Sequence, residues 1–485
     1  MPDDLNVVLA SNRGPISFVK TSDGFDTKRG AGGLAGALDP VARRLGDDAV
    51  WLATTTSDTD RDALRAGALD GIAEQLGYDL YLLEVDADTY SKYYDTISNR
   101  MLWFANHCLL DEMGIAGFGS EDLDAWATAY EPVNKRFAET IDEVADSSSL
   151  VLFQDYHLAT APGHLRKRRP DQTIFHFTHS SFCGPNDLFR LPETIARGVI
   201  EGMLGADLVG FHVPAWSRGF MQACERVGAH VDPAKGVVLH DGRTTWVRSY
   251  PIPIDAPELQ TLADAQAATE WASRLKQRAP RLLVRADRAE PSKNIVRGFE
   301  AFGLLLDRRP DLREEVRFVA CLYPSRQSMG EYRAYSEAIE AAAAEVNDRY
   351  PDAIDLYMKD DFERTLGALS VYDVLLVNPL MDGMNLVSKE GPAINRKAGV
   401  LVLTEGAGSF DELGEDAVTI ENARDIEETA TALERAFDMG DEEKAGRAER
   451  LRAKILSRRP DDWIDAQLDD LIEIASGRGP STPPR

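Results

Sequence analysis

The sequence predicts an α/β protein of two Rossmann-like domains, and three observations carry that expectation. Apolar, strand-like runs alternate with helical patterns along nearly all of the 485 residues, which favours parallel sheets covered on both faces. The chain is too long for one ordinary core, so two domains of about 200 to 250 residues are expected. Between the two series of runs lies Tyr250-Pro251-Ile252-Pro253-Ile254-Asp255. Its two prolines bar it from being a central strand and make it the joint, with a cleft between the domains.

In the first domain, residues 1–252, the strands are Leu5 to Ser11, Val50 to Thr54, Leu80 to Val85, Leu150 to Gln154, Thr173 to Thr178 and Asp207 to His212. Each is a short apolar run that precedes a candidate helix or loop. After the first comes a polar loop with Asp23, Lys28 and Arg29, and then Gly30-Ala31-Gly32-Gly33-Leu34 opens a helix. Glycines there let the backbone approach a phosphate, with the positive end of the helix behind it. The second domain, residues 253–460, has runs at Arg281 to Ala286, Val316 to Leu322, Ile354 to Met358, Val371 to Asn378 and Val400 to Thr404. Residues from Asp441 to about Ser476 read as helices, and 477–485, with three prolines, as a frayed, flexible tail.

Composition narrows the function. A formal charge of −27, from 81 acidic against 54 basic residues, argues against a nucleic-acid or anionic-membrane partner and requires any phosphate site to be locally basic. The four cysteines, Cys108, Cys183, Cys224 and Cys321, have no paired spacing, so neither a disulfide framework nor a zinc site is expected, and a reduced cytoplasm fits. No basic leader is present, and no apolar run approaches the ~20 residues that would span a bilayer.

The most informative stretch is Asn378-Pro379-Leu380-Met381-Asp382-Gly383-Met384-Asn385-Leu386-Val387-Ser388-Lys389-Glu390. A polar, glycine-containing turn between a buried strand and a helix is where open α/β sheets bind ligands. The N–H groups of Met384, Asn385 and Leu386 would lie unpaired at the helix start, aimed at an anionic or hydroxyl-rich ligand. Glu390 could accept two hydrogen bonds from a vicinal diol such as a ribose; a helix cap by Asp382 with Glu390 on a solvated face is the plainer alternative. Arg288 and Lys293 flank one short loop after a strand, where two cations could neutralise a leaving diphosphate without a metal. Asp155 and His179 sit at strand C-termini beside the expected cleft. Tyr94 and Trp103 lie in an aromatic-rich segment, and Arg326 follows a strand; spacing alone assigns them no role.

Together these motifs resemble trehalose-6-phosphate synthases, in order from about residue 5 to 440: Ser11-Asn12-Arg13, Gly32-Gly33, Tyr93-Tyr94 with Ser98-Asn99 and Leu102-Trp103, Asp155-Tyr156-His157-Leu158, Arg288 with Ser292-Lys293, and Asp382 to Val387 with Lys389-Glu390. The resemblance implies a retaining, metal-independent glycosyltransferase of the GT-B fold, two facing Rossmann-like domains with the last helix, 461–476, crossing back to the first. It implies an acceptor pocket for glucose 6-phosphate from Arg13, Tyr94, Trp103 and Arg326. On the donor side it implies Gly32 and Gly33, Arg288 and Lys293 on the diphosphate, and Glu390 on the ribose. Asp155, His179, Asp382, Met384 and Asn385 would surround the transferred glucose, and Leu386 and Val387 would supply backbone contacts. No cofactor or metal is implied, the substrates being glucose 6-phosphate and a nucleoside diphosphate glucose; homo-oligomerisation stays open.

The chain departs from the family's pattern at several points. Gln154 stands where histidine is common, Ser180-Ser181-Phe182-Cys183 replaces Ile-Pro-Phe-Pro, Asn294 replaces a glycine after Lys293, and Pro253 replaces a hinge glycine. The resemblance also places Lys359-Asp360-Asp361-Phe362 beside the nucleobase. Carboxylates there could accept from the two adjacent donors of guanine, which favours GDP-glucose over UDP-glucose with Asp361 as reader next to Phe362. Two alternatives remain open: a synthase with another phosphorylated acceptor, such as a glucosylglycerol phosphate or pseudo-disaccharide phosphate maker, and a non-catalytic sugar-phosphate sensor.

Overall fold

A computed structural model describes residues 6–22, 24–29 and 33–483. The chain forms two compact units, one of Met1–Tyr250 with Asp461–Arg485 and one of Pro251–Pro460.

The first unit is built on a nine-stranded sheet among the described residues, in the spatial order Asp79–Leu83, Ala49–Thr54, Val7–Ala10, Leu150–Gln154, Thr173–Phe177, Leu208–Phe211, Arg243–Ser249, Val237–His240, His230–Asp232. Strands Val7–Ala10 and Leu150–Gln154 are buried along their whole length, as central parallel strands must be. The first seven strands run parallel. The last two are antiparallel additions. Asp241 and Gly242, both at positive φ, make the turn between Val237–His240 and Arg243–Ser249, the Asp-Gly pair that a tight hairpin favours. A second hairpin, Ile16–Thr21 with Gly24–Arg29, occupies part of the segment expected to be a polar loop.

The second unit has six parallel strands in the order Ile354–Met358, Val316–Pro324, Arg281–Ala289, Val374–Val377, Val400–Thr404, Val418–Ile420. By sequence this is 3-2-1-4-5-6, the doubly wound order in which the chain reverses direction between strands one and four. Helices cover both faces. One core gathers Leu282, Val284, Leu375 and Leu401; the other gathers Leu283, Phe318, Leu376 and Val402. Alternate residues of the same strands thus point to opposite layers.

Two expectations need correction. The tail is docked, at least through Thr482: the Arg248 guanidinium donates to the Thr482 carbonyl (2.6 Å), and buried Asp470 accepts from Thr482 N–H (3.0 Å) and from Ser481 Oγ (3.3 Å). Its prolines do not prevent this, because these contacts use neighbouring polar groups. The preceding helix, Pro460–Ala475, buries Trp463 against Phe177 and donates its indole N–H to the Tyr250 carbonyl. Second, Cys108 and Cys183 form a disulfide across 75 residues of sequence. Spacing could not reveal it, since tertiary structure brings the segments together, with Ser181 Oγ donating to the Asn106 carbonyl at 2.8 Å. Cys224 and Cys321 are free and buried. Among the described residues no helix is long and apolar enough to cross a membrane.

Candidate active site

Arg13 and Asp155 in the first unit, and Arg288, Lys293 and segment 382–390 in the second, lie at or just after the carboxyl ends of the strands that flank the reversal point of each sheet, where ligands bind in doubly wound folds. Tyr94 and Trp103, by contrast, lie on a helix, and Asp361 and Phe362 follow an edge strand.

In the second unit, Arg288 lies near the end of strand Arg281–Ala289. Its guanidinium meets the Glu290 carboxylate at 3.0 Å, and Arg326 meets the same oxygen at 2.8 Å, as does Ser325 Oγ. Burial alone would raise the Glu290 carboxyl, but the charges of Arg288, Arg326 and Lys293 more than offset it and hold it down at about 2. Glu290 is therefore ionised at any working pH and fixes two guanidiniums beside one another. Lys293 Nζ lies 2.5 Å from Asp382 Oδ2. Burial opposes the ammonium, yet Asp382 and Asp287 keep its pKa above the ordinary lysine value.

The turn after strand Val374–Val377 is pressed against a second loop. Asp382 N–H donates to the Gly406 carbonyl (2.9 Å), and Ser409 N–H to that of Met384 (2.7 Å). A Cβ on Gly406 would fall 2.2 Å from the Leu380 carbonyl oxygen, and one on Gly408 2.1 Å from that of Gly383, so this approach requires both glycines. Asn385, at φ 70°, donates from Nδ2 to Asp382 (3.0 Å) and accepts the Ser388 N–H at Oδ1 (3.0 Å). Asn385 Oδ1 thus satisfies a first-turn N–H of helix Val387–Ile394. Among the described residues no acceptor is bonded to the N–H groups of Met384, Asn385 or Leu386. Glu390 is half-buried, and burial lifts its carboxyl to about 7, with Lys293 opposing. Lys389 is buried and anchors the helix, bonding the Ile252 carbonyl (2.8 Å) and Glu412 (2.6 Å).

Asp361, the expected reader of the base, stands at a helix start. Its carboxylate caps helix Phe362–Leu369, accepting the Arg364 N–H at 2.9 Å and meeting the Arg364 guanidinium at 3.3 Å. A carboxylate committed to its own helix start is a poor reader of a base. Phe362 beside it is exposed.

In the first unit, the Arg13 guanidinium donates to Tyr94 Oη at 3.0 Å. Tyr94 and Trp103 share the helical segment Lys92–Trp103, and the Tyr94 ring is stacked between Tyr90 and His157. Trp103 is buried against His107, ring centroids 4.0 Å apart. Arg13 and Tyr94 are thus in contact and Trp103 lies on the same helix, whereas Arg326 belongs to the other unit, held by Glu290 and Tyr332. Gly32 lies outside the described residues, and Gly33 opens helix Gly33–Leu45.

Asp155 carries backbone strain of the kind that collects at functional sites: φ 71°, ψ 166°, rare for a side-chain-bearing residue. Its N–H donates to the Phe177 carbonyl (2.6 Å), and its Oδ1 accepts the His179 N–H (3.1 Å). His179 Nε2 lies 2.9 Å from Gln154 Oε1. With the Gln154 amide oxygen turned toward it, Nε2 is the ring's donor. Burial, with His212 and His176 nearby, pushes the His179 pKa well below its usual value and keeps the ring neutral.

Sequence reading missed the roles of Glu290, Gln154, Asn294 and the Gly406-Ala407-Gly408 loop. Gln154 and Asn294 stood out only as departures from the resembling pattern, Glu290 had no signal, and the loop had a glycine pair one residue after a buried strand. Among the described residues the one group with metal-ligand geometry is Cys108, Cys183 and Asp187, and its two sulfurs are joined to each other.

Comparison with known proteins agrees with this architecture. Residues 5–473 match the profile described as Glycosyltransferase family 20. A relative in Mycobacterium sp. (strain KMS) named trehalose-6-phosphate synthase is 33% identical, over 98% of this chain and 97% of its own. One of the same name in Mycobacterium leprae (strain TN) is 32% identical over 97% and 95%. Among solved structures, a UDP-forming alpha,alpha-trehalose-phosphate synthase from Burkholderia xenovorans in complex with glucose-6-phosphate aligns with a TM-score of 0.81 at 26% identity, covering 96% of this chain and all (100%) of that one. An E. coli structure described as trehalose-6-phosphate bound with UDP-2-fluoro glucose aligns at 0.80 and 25% identity, covering 96% and 98%. The two α/β units are those of a GT-B fold.

Proposed function

The chain belongs to glycosyltransferase family 20, and from that premise we propose that it transfers glucose from a nucleoside diphosphate glucose to the anomeric hydroxyl of glucose 6-phosphate. The products are α,α-trehalose 6-phosphate and the nucleoside diphosphate, with the donor's α configuration retained. The observation that carries this reading is the pairing at the reversal point of the second sheet. Arg288 and Lys293, both held charged, stand beside the free N–H groups of Met384, Asn385 and Leu386. A diphosphate needs that combination of cations and backbone donors.

Arg288 and Lys293 stabilise the charge that grows on the leaving diphosphate, and no metal is needed for that step. The acceptor hydroxyl attacks from the leaving-group face while the departing phosphate oxygen takes its proton, so no protein nucleophile is required. Glu390 holds the ribose diol. Asp382, Asn385, Asp155 and the neutral His179 bond the glucose hydroxyls. Arg13, Tyr94, Trp103 and Arg326 hold the acceptor phosphate. UDP-glucose is the donor we assign, because solved relatives are UDP-forming and Asp361 is spent as a helix cap. The setting we assign is the cytoplasm, on the phosphorylated substrates alone, since the Cys108–Cys183 disulfide removes the redox argument for it.

Incubating the purified protein with glucose 6-phosphate and UDP-, GDP- and ADP-glucose, then identifying the product by mass and by its anomeric couplings, tests the reading. An α,α-linked disaccharide phosphate is expected, formed fastest from UDP-glucose. Transfer only to a different phosphorylated acceptor, or binding without transfer, overturns it.

A further inference from the structure

Asn294 follows Lys293 directly, at a position where the resembling enzymes commonly carry glycine. Its backbone is left-handed, φ 57° and ψ 39°, a conformation that glycine adopts freely and asparagine tolerates. Glycine would serve the backbone alone, so the side chain calls for its own explanation. It is buried. Its Nδ2 donates to the carbonyls of Asn378 (3.1 Å) and Ala423 (2.6 Å), and its Oδ1 accepts from the Arg297 guanidinium (3.1 Å). Asn378 Nδ2 lies 3.5 Å from the Asn294 carbonyl, which makes the contact reciprocal.

Asn378 opens the turn that carries Asp382, Met384 and Asn385. That turn meets the Lys293 loop at two further points, Leu380 N–H to the Ser292 carbonyl (2.8 Å) and Lys293 Nζ to Asp382 (2.5 Å). Behind the loop, buried Arg285, paired with Asp287 at 2.8 Å, donates to the Lys293 carbonyl at 2.9 Å. The backbone on both sides of Lys293 is thus fixed: Arg285 holds its own carbonyl, and Asn294 ties the next residue to the sugar-binding turn.

We infer that Asn294 is a positioning residue that locks the Lys293 ammonium in register with the turn of Asp382 to Asn385, coupling the diphosphate-binding loop to the sugar-binding loop. The inference rests on the glucosyl-transfer reading, because it is Lys293's contact with the donor that gives the register a consequence. Lysine's long stem can reach a phosphate from several backbone placements, and fixing the next residue selects one.

The test is a double-mutant cycle between Asn294→Gly and Lys293→Ala, read as UDP-glucose affinity and as kcat with glucose 6-phosphate. Asn294→Gly keeps the left-handed backbone without strain and deletes only the side-chain bonds. It should lower kcat on the order of tenfold and leave the KM for glucose 6-phosphate nearly unchanged. In the Lys293→Ala background the same change should have almost no effect, since the group being positioned is gone. Asn294→Asp, which keeps Oδ1 for Arg297 but turns an oxygen toward two carbonyls, should be worse than glycine. Equal losses from Asn294→Gly in both backgrounds mean a merely structural residue and overturn the inference, as does wild-type kcat in Asn294→Gly. A wild type that binds UDP-glucose without transferring glucose overturns the reading above instead and leaves the coupling measurable as affinity; one that binds none overturns both.

Discussion

Glu390 offers a pH test that follows from burial. Its carboxyl titrates at about 7 in the free protein, lifted by burial against the opposing pull of Lys293. A ribose diol presents two hydroxyl donors, and only the carboxylate can accept both. The protonated and ionised forms of the site therefore differ in donor affinity, and affinity should rise with pH. With a pKa near 7 the ionised fraction climbs from about one tenth at pH 6 to about nine tenths at pH 8, so donor affinity should rise roughly tenfold if only the carboxylate binds. Proton linkage gives the same sign: bound diol lowers the carboxyl pKa, so binding below pH 7 releases a proton. UDP-glucose is the suitable ligand, since its diphosphate is esterified at both ends and does not titrate in this window. Calorimetric titration at pH 6, 7 and 8, in buffers of differing ionisation heat, reads both affinity and proton release. Glu390→Gln should bind more weakly at pH 8 and lose the slope. The stability sign is separate. A raised acid pKa contributes stability below the unfolded value near 4.5 that is lost as pH rises through about 7, so Glu390→Gln should raise the melting temperature at pH 8 relative to wild type. A flat wild-type affinity, or an equal slope in Glu390→Gln, refutes the reasoning.

Four further outcomes are expected. Arg13→Ala should weaken glucose 6-phosphate by about 1.5 to 3 kcal/mol, the cost of a charge-assisted contact, while UDP-glucose affinity holds; equal losses on both substrates in steady-state kinetics would show that it does not bind the acceptor phosphate. Activity should survive exhaustive chelation, and Lys293→Ala should depress kcat as well as donor binding; restoration of a chelated enzyme by magnesium would refute the leaving-group scheme. Asp361→Ala should cost about 1 kcal/mol of stability as a lost helix cap and leave the ratio of kcat/KM for UDP- and GDP-glucose unchanged; a shifted ratio would reinstate it as a base reader. Reducing Cys108–Cys183, which closes a loop of 75 residues, should destabilise the first unit by about 4 kcal/mol on the chain-entropy scale, seen as a lower melting temperature that Cys183→Ser reproduces without reductant.

The parallel frame was legible because a strand buried on both faces must be continuously apolar, as in Leu150–Gln154 and Val400–Thr404. The expected runs at these two positions coincide with the strands themselves. What escaped were strands that do not look like that. Gly24–Arg29 and Val237–His240 are largely exposed or only partly buried, so their apolar signal is weak. The candidate cations Arg288 and Lys293 stood out because they flank one short loop after a strand, and Arg13 entered only through the resemblance. The partners that hold those groups were not legible, because a buried acid such as Glu290 looks in sequence like one more acid in a chain with 81. Pairings across the fold, Cys108 with Cys183 or Asn294 with Asn378, leave no mark in spacing at all.

Those hidden carboxylates explain how a chain of net charge −27 can serve two phosphorylated substrates. Its long-range field repels anions, so capture depends on local charge at short range. Each key cation of the second unit is nevertheless already paired: Arg288 and Arg326 share Glu290, and Lys293 meets Asp382. Counting formal charges, the first trio keeps one net positive charge and the second pair keeps none. An unpaired Lys293 in this buried position would lose charge or move toward solvent, whereas its pairing with Asp382 keeps it ionised, and the shared Glu290 holds the two guanidiniums in place. On the proposed assignment of Arg288 and Lys293 to the diphosphate, the ligand would share donors already held in place, which is the condition under which electrostatic stabilisation lowers a barrier most.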